Sequence, residues 1–220
     1  GGGLVIGFYL TGGNKIATAQ AGDKKPVTPP NAFLRVGRDG VITVQVKHLE
    51  FGQGVMTALP MLVAEELECE WQKVRAELAP AAPQFAHTMF GMQMTGGSTS
   101  VSNSWEQMRM AGAMARTMLV SAAAQRWKVD AASCKASDGQ VIGPANQRLS
   151  FGELAEAANA LPLPENVKLK EAKDYKLIGK PTRRTDAPAK VNGSAVFGMD
   201  MSTKTVPNLH TALVAHPPMF

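Results

Sequence analysis

Ile42-Thr43-Val44-Gln45-Val46, followed by Glu50-Phe51-Gly52-Gln53-Gly54 and then by Val55 through Leu67, forms the stretch on which the fold turns. Its first part alternates apolar Ile42, Val44 and Val46 with polar Thr43, Gln45 and Lys47, the period-two signature of a strand with one buried face. Two glycines one residue apart then interrupt the pattern. The following run predicts an amphipathic helix over 57–67, with Pro60 in its first turn. Leu59, Leu62, Val63 and Leu67 are its packing face, and Glu65 and Glu66 are expected to point outward. Val74 to Leu78 reads as the next strand, which makes the whole a strand, bend, helix and strand unit.

Working outward, Phe33 to Val36 and Val41 to Val46 flank Asp39-Gly40, a pair that supplies the positive φ angles of a tight hairpin. Residues 14–31 carry Pro26, Pro29 and Pro30 and read as linker; Leu4 to Leu10 fits either the tail of an export signal or a first strand. Downstream, a Pro-, Met- and Gly-rich loop spans 79–97, and residues 101–127 make the strongest helix of the chain, with Ser98, Thr99 or Ser100 as its cap. Ala111, Gly112, Ala115, Ala122 and Ala123 form a small-residue side on which another backbone can lie close, while Met108, Met114 and Met118 read as core. Two short strands flank Asp138-Gly139. Ser150 and Glu153 have capping-box spacing for a helix ending at Ala160. The charged, Pro-punctuated stretch 168–186 suggests a boundary, after which Val191-Asn192-Gly193-Ser194 reads as a hairpin turn, with strands over 195–201 and 210–215.

Composition narrows function mainly by exclusion. Apolar residues make up 45% and charged residues 19% of 220, which excludes a disordered chain, and no apolar run is long enough for a bilayer span. The net charge of +5 is mild, and without a dense basic block or an aromatic RNA-binding string it argues against a nucleic-acid partner. Cys69 and Cys134 lack metal-ligand spacing and are expected as buried thiols. His48, His87, His210 and His216 are scattered, so packing or surface roles are expected of them, and no G-x-S-x-G elbow occurs. Glu50 has no partner acid or base that the sequence can place beside it. No catalytic or metal-ligating residue is therefore assigned.

Two bends remain that can hold a ligand. Gly52, Gln53 and Gly54 precede a helix; their backbone N–H groups can approach a ligand closely, and the Gln53 amide can meet the edge of a planar heterocycle. A tight strand-to-helix turn accounts for this bend equally well. Thr95-Gly96-Gly97-Ser98-Thr99-Ser100 combines flexible backbone, three consecutive hydroxyls and the N–H groups of a helix start. Those are the parts of an anion cradle built from neutral donors, and a capped helix after a flexible loop is the alternative. No Lys follows the glycines, so it is not a P-loop.

The runs Gly40 to Val44, Glu50 to Thr57 and Leu62 to Leu67 resemble molybdenum hydroxylases of the xanthine dehydrogenase/aldehyde oxidase superfamily. Thr95 to Val101 with Arg109-Met110-Ala111-Gly112-Ala113 narrows the resemblance to the large, molybdopterin-binding subunit of the bacterial isoquinoline 1-oxidoreductase/aldehyde dehydrogenase branch. Gly179 to Asp186, Ala189 to Gly193 and Phe197-Gly198 are similar to the start of its hammerhead domain. The resemblance implies an α+β fold, in which part of a molybdenum-cofactor-binding domain (a mixed sheet with packed helices) precedes the start of a hammerhead-like β-rich domain. Its implied divisions are an arm or signal remnant with linker over 1–31, the molybdopterin-binding portion over 32–165, a linker over 166–186 and the hammerhead start over 187–220.

By the same resemblance, Gln53, between Gly52 and Gly54, would bond the pterin near the molybdenum. Gly96, Gly97, Ser98, Thr99 and Ser100 would hold the pterin and a pyrophosphate, the latter in a molybdopterin cytosine dinucleotide. The implied reaction oxidises an aldehyde or hydroxylates an N-heteroaromatic with oxygen from water. The implied partners are the remainder of the large subunit, a [2Fe–2S] small subunit and a cytochrome c subunit, in the periplasm or on the periplasmic face of the inner membrane. The general-base glutamate of such enzymes, in a Gly-x-Gly-Glu setting, has no match here. A noncatalytic assembly module that keeps the fold without molybdenum is the competing expectation.

Overall fold

A computed structural model describes residues 3–10, 14–18 and 32–200. The chain divides into two compact units, 1–184 and 185–220. Five strands form the main sheet of the first unit: β1 (Leu4–Leu10), β2 (Asn14–Thr18), β3 (Ala32–Val36), β4 (Ile42–Val46) and β5 (Val74–Leu78), in the order β2-β1-β3-β4-β5. All neighbours are antiparallel except β4 and β5, which run parallel with Ile42 opposite Val74 and Val46 opposite Leu78. A parallel neighbour requires a crossover, and α1 (Val55–Leu67) supplies it. Leu4–Leu10 is thus a sheet strand. Asn14–Thr18, expected within a linker, pairs with it from Ile6 opposite Thr18 to Leu10 opposite Asn14.

The alternation in β4 is less strict than the sequence suggests. Ile42, Val44 and Val46 are buried as expected, but Thr43 is buried too, and its hydroxyl accepts from Arg35 on β3 at 3.2 Å. Next to the sheet, α1 packs on α2 (Ser100–Trp127). Gly112 makes this contact possible, since a Cβ there would run into the carbonyl of Val63 and the Cβ of Glu66. Met108, Met114 and Met118 are core residues, together with Leu59, Val63, Leu67 and Leu119. Each such side chain contributes about 1.5–3 kcal/mol on burial.

β6 (Lys135–Ser137) and β7 (Gln140–Ile142) form the hairpin around Asp138-Gly139, and β8 (Arg148–Ser150), which the sequence did not announce, completes a second antiparallel sheet. α3 (Phe151–Asn159) opens with the full capping box: Glu153 N–H donates to Ser150 Oγ at 3.2 Å, and Ser150 N–H to Glu153 Oε2 at 2.8 Å. Cys69 and Cys134 are free thiols, each half-buried where burial was expected. Desolvation pushes the Cys69 thiol up to about 12, so it stays protonated.

Two expectations fail in the same place. Glu65 and Glu66 do not face water; both are fully buried. The stretch 168–178, expected as linker, lies along the helices and supplies their partners. Glu65 accepts from the Lys170 ammonium and from the consecutive N–H groups of Lys176, Leu177 and Ile178, these three at 2.7–3.1 Å. Glu66 accepts from Arg109 Nε at 2.9 Å and from Lys170 N–H at 3.1 Å, with Arg116 Nη1 3.6 Å away. The guanidinium of Arg109 also lies 5.4 Å from the Trp105 ring centroid and 5.3 Å from that of Tyr175. A carboxylate with so many donors can be buried without the usual penalty. Burial alone would raise Glu65, but Lys170 and the three amides outweigh it and hold its carboxyl below the usual range.

In the second unit, α4 (Ala187–Val191) precedes the expected hairpin turn and shares only Val191 with it. Pro188 fits a first helical turn, and Lys190 pairs with Asp186 at 2.6 Å, both of which favour a helical turn there. Gly198–Asp200 is a 3-10 turn within the strand expected over 195–201, and the strand expected over 210–215 lies outside the described residues.

Candidate cofactor site

The helix α1 starts two residues earlier than its sequence suggests, which places Pro60 in the second turn. Gly54 is its N-cap at φ 91°, and Gly52 sits at φ 117°. L-side chains rarely adopt either angle, so both glycines are required by the turn. Three N–H groups of this bend converge on Glu50. Its Oε1 accepts from Gly52 and Gly54, both at 2.9 Å, and its Oε2 from Met56 at 3.0 Å. Arg184 completes the knot, donating Nη2 to Glu50 Oε1 at 3.2 Å and Nη1 to the Gly52 carbonyl at 2.6 Å. Burial would raise the Glu50 carboxyl; the three amides and Arg184 overcome that and hold it below the usual range. Glu50 therefore has the charged partner that could not be placed from sequence. It is an anionic plug on the positive end of α1.

Gln53 is folded onto the same bend. Its Oε1 accepts from Phe51 N–H at 2.8 Å and its Nε2 donates to the Leu49 carbonyl at 2.6 Å. One N–H and one lone pair of the amide remain for a ligand.

The second bend is open by contrast. Gly97 at φ 60° and Ser98 at φ 55° are consecutive left-handed residues, and for a serine this conformation is strained. Among the described residues, no partner accepts from the backbone N–H groups of Gly97, Ser98, Ser100, Val101 or Ser102, and the Ser98 and Ser100 hydroxyls make no hydrogen bond. The expected hydroxyl cap is absent: Thr99 is the N-cap residue, but its hydroxyl donates backward to the Gly96 carbonyl at 2.9 Å. The helix end thus keeps its donors.

A buried basic group ties the two bends together. Leu49 N–H donates to Thr95 Oγ1 at 2.8 Å and His48 Nδ1–H to the Met94 carbonyl at 3.0 Å. Because Met89 N–H donates to His87 Nδ1 at 3.2 Å, the Nε2 of that ring carries the proton and donates to Thr99 Oγ1 at 2.8 Å. Lys47 donates to Asn103 Oδ1 in the first turn of α2 at 3.0 Å. All three basic residues are at most 3% exposed, and the two rings meet edge to face with centroids 5.8 Å apart. Desolvation depresses each of them: Lys47 falls to about 8, and His48 and His87 fall below the ordinary imidazole value with Lys47 as a further cause. The sequence placed these histidines in packing or surface roles. They are buried, as a packing role requires; His48 joins the strand end before the first bend to Met94, and His87 fixes Thr99 in the second.

This donor set fits a phosphate-bearing group at the second bend, where five amides and two hydroxyls are available on a helix N-terminus. The first bend fits less as an anion site, since the Glu50 carboxylate already takes the amides of Gly52, Gly54 and Met56; it offers the Gln53 amide edge. The profile of the molybdopterin cofactor-binding domain family matches residues 1–210. The chain belongs to that family. Its relatives include the beta subunit of isoquinoline 1-oxidoreductase from Brevundimonas diminuta, 32% identical over 91% of this chain and 31% of that protein. The membrane-bound aldehyde dehydrogenase [pyrroloquinoline-quinone] of Gluconacetobacter polyoxogenes is 33% identical over 78% of this chain and 22% of its own length. A nicotinate dehydrogenase subunit of Pseudomonas putida is 31% identical over 84% of this chain and 15% of its own length. Quinoline 2-oxidoreductase from Pseudomonas putida 86 superposes with a TM-score of 0.46 at 18% identity, over 61% of this chain and 19% of that one. The chain spans about a third or less of the curated relatives it matches. As a molybdopterin-binding-domain protein it has a mixed helix-and-sheet fold, as its sequence led one to expect.

Two functional features escaped the sequence reading. Arg184 lies 134 residues from Glu50, and no local pattern connects them. Lys47 and His48 sit beside a glycine bend, and a basic pair at the end of an apolar strand was the available signal.

Proposed function

We propose that this chain holds a molybdopterin, in its cytosine dinucleotide form, as the N-terminal part of an oxidoreductase large subunit. The observation that carries the reading is the open set of donors at residues 97–102, hydrogen-bonded through Thr95 and Met94 to the strand end that leads into Gly-Gln-Gly. In this reading the amides of Gly97, Ser98, Ser100 and Val101 and the Ser98 and Ser100 hydroxyls hold the phosphates, Gly96 gives the bend its close approach, and Gln53 offers its remaining donor and acceptor to the pterin edge. Gly52 and Gly54 shape the first bend. Thr99 acts indirectly, by fixing Gly96 to His87. When bound, the cofactor supplies the two-electron chemistry that places water-derived oxygen on an aldehyde or N-heteroaromatic carbon. The residues of this chain orient and retain it, which is the usual division of labour between protein and cofactor.

The relatives' names support an aldehyde or a nitrogen heterocycle as substrate. The remainder of the large subunit, a [2Fe–2S] subunit and a cytochrome c subunit are the partners proposed on the resemblance. Periplasmic location rests on that resemblance alone, because Leu4–Leu10 is a sheet strand and gives no separate support for export.

Molybdenum content and CMP released on acid treatment of the assembled protein test the reading. Gln53→Ala and the double change Ser98→Ala/Thr99→Ala should lower both while the far-ultraviolet circular dichroism stays unchanged. Full loading in both variants would refute the site. A metal-free assembly that still binds its protein partners would favour a noncatalytic module instead.

A further inference from the structure

We propose that Arg184 and Glu50 act together as positioning residues for the Gly-Gln-Gly bend, so that the strap over 168–184 sets the geometry in which Gln53 meets the cofactor. The proposal rests on the cofactor reading above and deepens it.

The bend lacks packing. Leu49, Phe51, Gly52 and Gln53 are exposed, with Phe51 72% accessible, so packing cannot hold this segment. Gly52 and Gly54 are its most permissive positions, and a bend containing both loses considerable backbone entropy on ordering. Hydrogen bonds must do what packing does not. Most converge on one carboxylate: Gly52, Gly54 and Met56 donate to Glu50, and within the turn so gathered the amide of Gln53 bonds Phe51 and Leu49.

Gathering three amides on a carboxylate leaves a negative charge with little access to water, since the Glu50 side chain is 12% exposed. Arg184 meets that charge and, with its other terminal nitrogen, caps the outward carbonyl of Gly52. A guanidinium suits this task better than an ammonium because two donors at fixed spacing can engage two acceptors at once.

Arg184 is placed in turn by the strap. Further back in the same segment, the backbone of Lys176, Leu177 and Ile178 is fixed on Glu65, and that of Lys170 on Glu66. The anchoring carboxylates stand at the C-terminal end of α1, whose N-terminal end is the bend itself. One helix therefore holds the strap at one end and receives its arginine at the other.

The test uses the full assembled subunit carrying Arg184→Ala, Arg184→Lys, Glu50→Gln, or Arg184→Ala with Glu50→Gln. Two readouts are followed: amide hydrogen exchange of residues 50–56, and molybdenum per subunit. Loss of a partly exposed charged hydrogen bond should accelerate exchange in 50–56 by about three- to tenfold, leaving 104–124 in α2 unchanged. Arg184→Lys should recover part of the protection, and the double variant should be no faster than the faster single variant. Unchanged exchange in Arg184→Ala, or additive effects in the double variant, would overturn the positioning role. Faster exchange with undiminished molybdenum would overturn its link to the cofactor. If the unaltered protein carries no molybdenum, the cofactor reading fails by itself, and the exchange data still decide whether Arg184 orders the bend.

Discussion

Glu66→Ala removes a carboxylate with no solvent exposure from between Arg109, Arg116 and the backbone of Lys170. Arg109, whose side chain is 9% exposed, keeps its bond to the Lys170 carbonyl at 2.6 Å and its two aromatic neighbours, but its charge loses the only carboxylate paired with it among the described residues. Removing one partner of a buried ion pair costs about 3–5 kcal/mol; the retained contacts favour the lower end, about 3 kcal/mol. With a urea dependence of about 2–3 kcal/mol per molar for a chain of this size, the unfolding midpoint should fall by about 1–1.5 M. Trp105 stands against Arg109, so tryptophan fluorescence follows the event directly. Glu66→Gln keeps an acceptor for Arg109 and should lose about half as much. A Glu66→Ala midpoint within about 0.2 M of the parent would show that the network contributes nothing net, and would refute the reasoning about buried charge.

Gly112→Ala forces a methyl group against the Val63 carbonyl and should cost about 1–3 kcal/mol, despite the helix preference of alanine; a stabilised variant in thermal melts would contradict the close approach of α1 and α2. His48 and His87 are depressed by burial and by Lys47, so the fold favours their neutral forms. Their penalty is absent above the ordinary imidazole value of about 6.5 and appears as pH falls below it, because the unfolded chain takes up those protons first. Urea midpoints should decline from pH 7 to pH 5.5. A His48→Gln/His87→Gln variant, less stable at pH 7, should show a flatter decline, and an identical slope would remove the histidines as its cause.

The elements that follow from local chemistry were legible in the sequence. The β3–β4 hairpin (though its link runs over 37–41 and only Gly40, not Asp39, takes a positive φ), the Ser150–Glu153 capping box and the small-residue side of α2 each depend on residues within a few positions of one another, or on volume alone. The errors share a different character. Glu65 and Glu66 looked solvent-facing because a carboxylate on a helix usually is; their donors arrive from 43 to 113 residues away, and periodicity carries no record of them. The stretch 168–178 looked like linker for the complementary reason, since its charges and backbone amides are ordered by those two carboxylates and not by a period of its own. At the site, the sequence identified both bends as candidates, but only the folded chain shows that a carboxylate, Glu50, already takes three amides of the first while the second holds no anion partner of its own.

The helix α1 spans 13 residues, a rod of about 20 Å, with the Gly-Gln-Gly turn at its start and the paired acidic anchors near its finish. A stiff rod transmits displacement along its length. Damage at the far end, such as loss of the Lys170 anchor, would therefore be felt at the turn as a change of pitch without any altered side chain there. Screens for impaired cofactor retention should accordingly recover substitutions in two separate clusters, joined mechanically by a backbone that itself tolerates little bending.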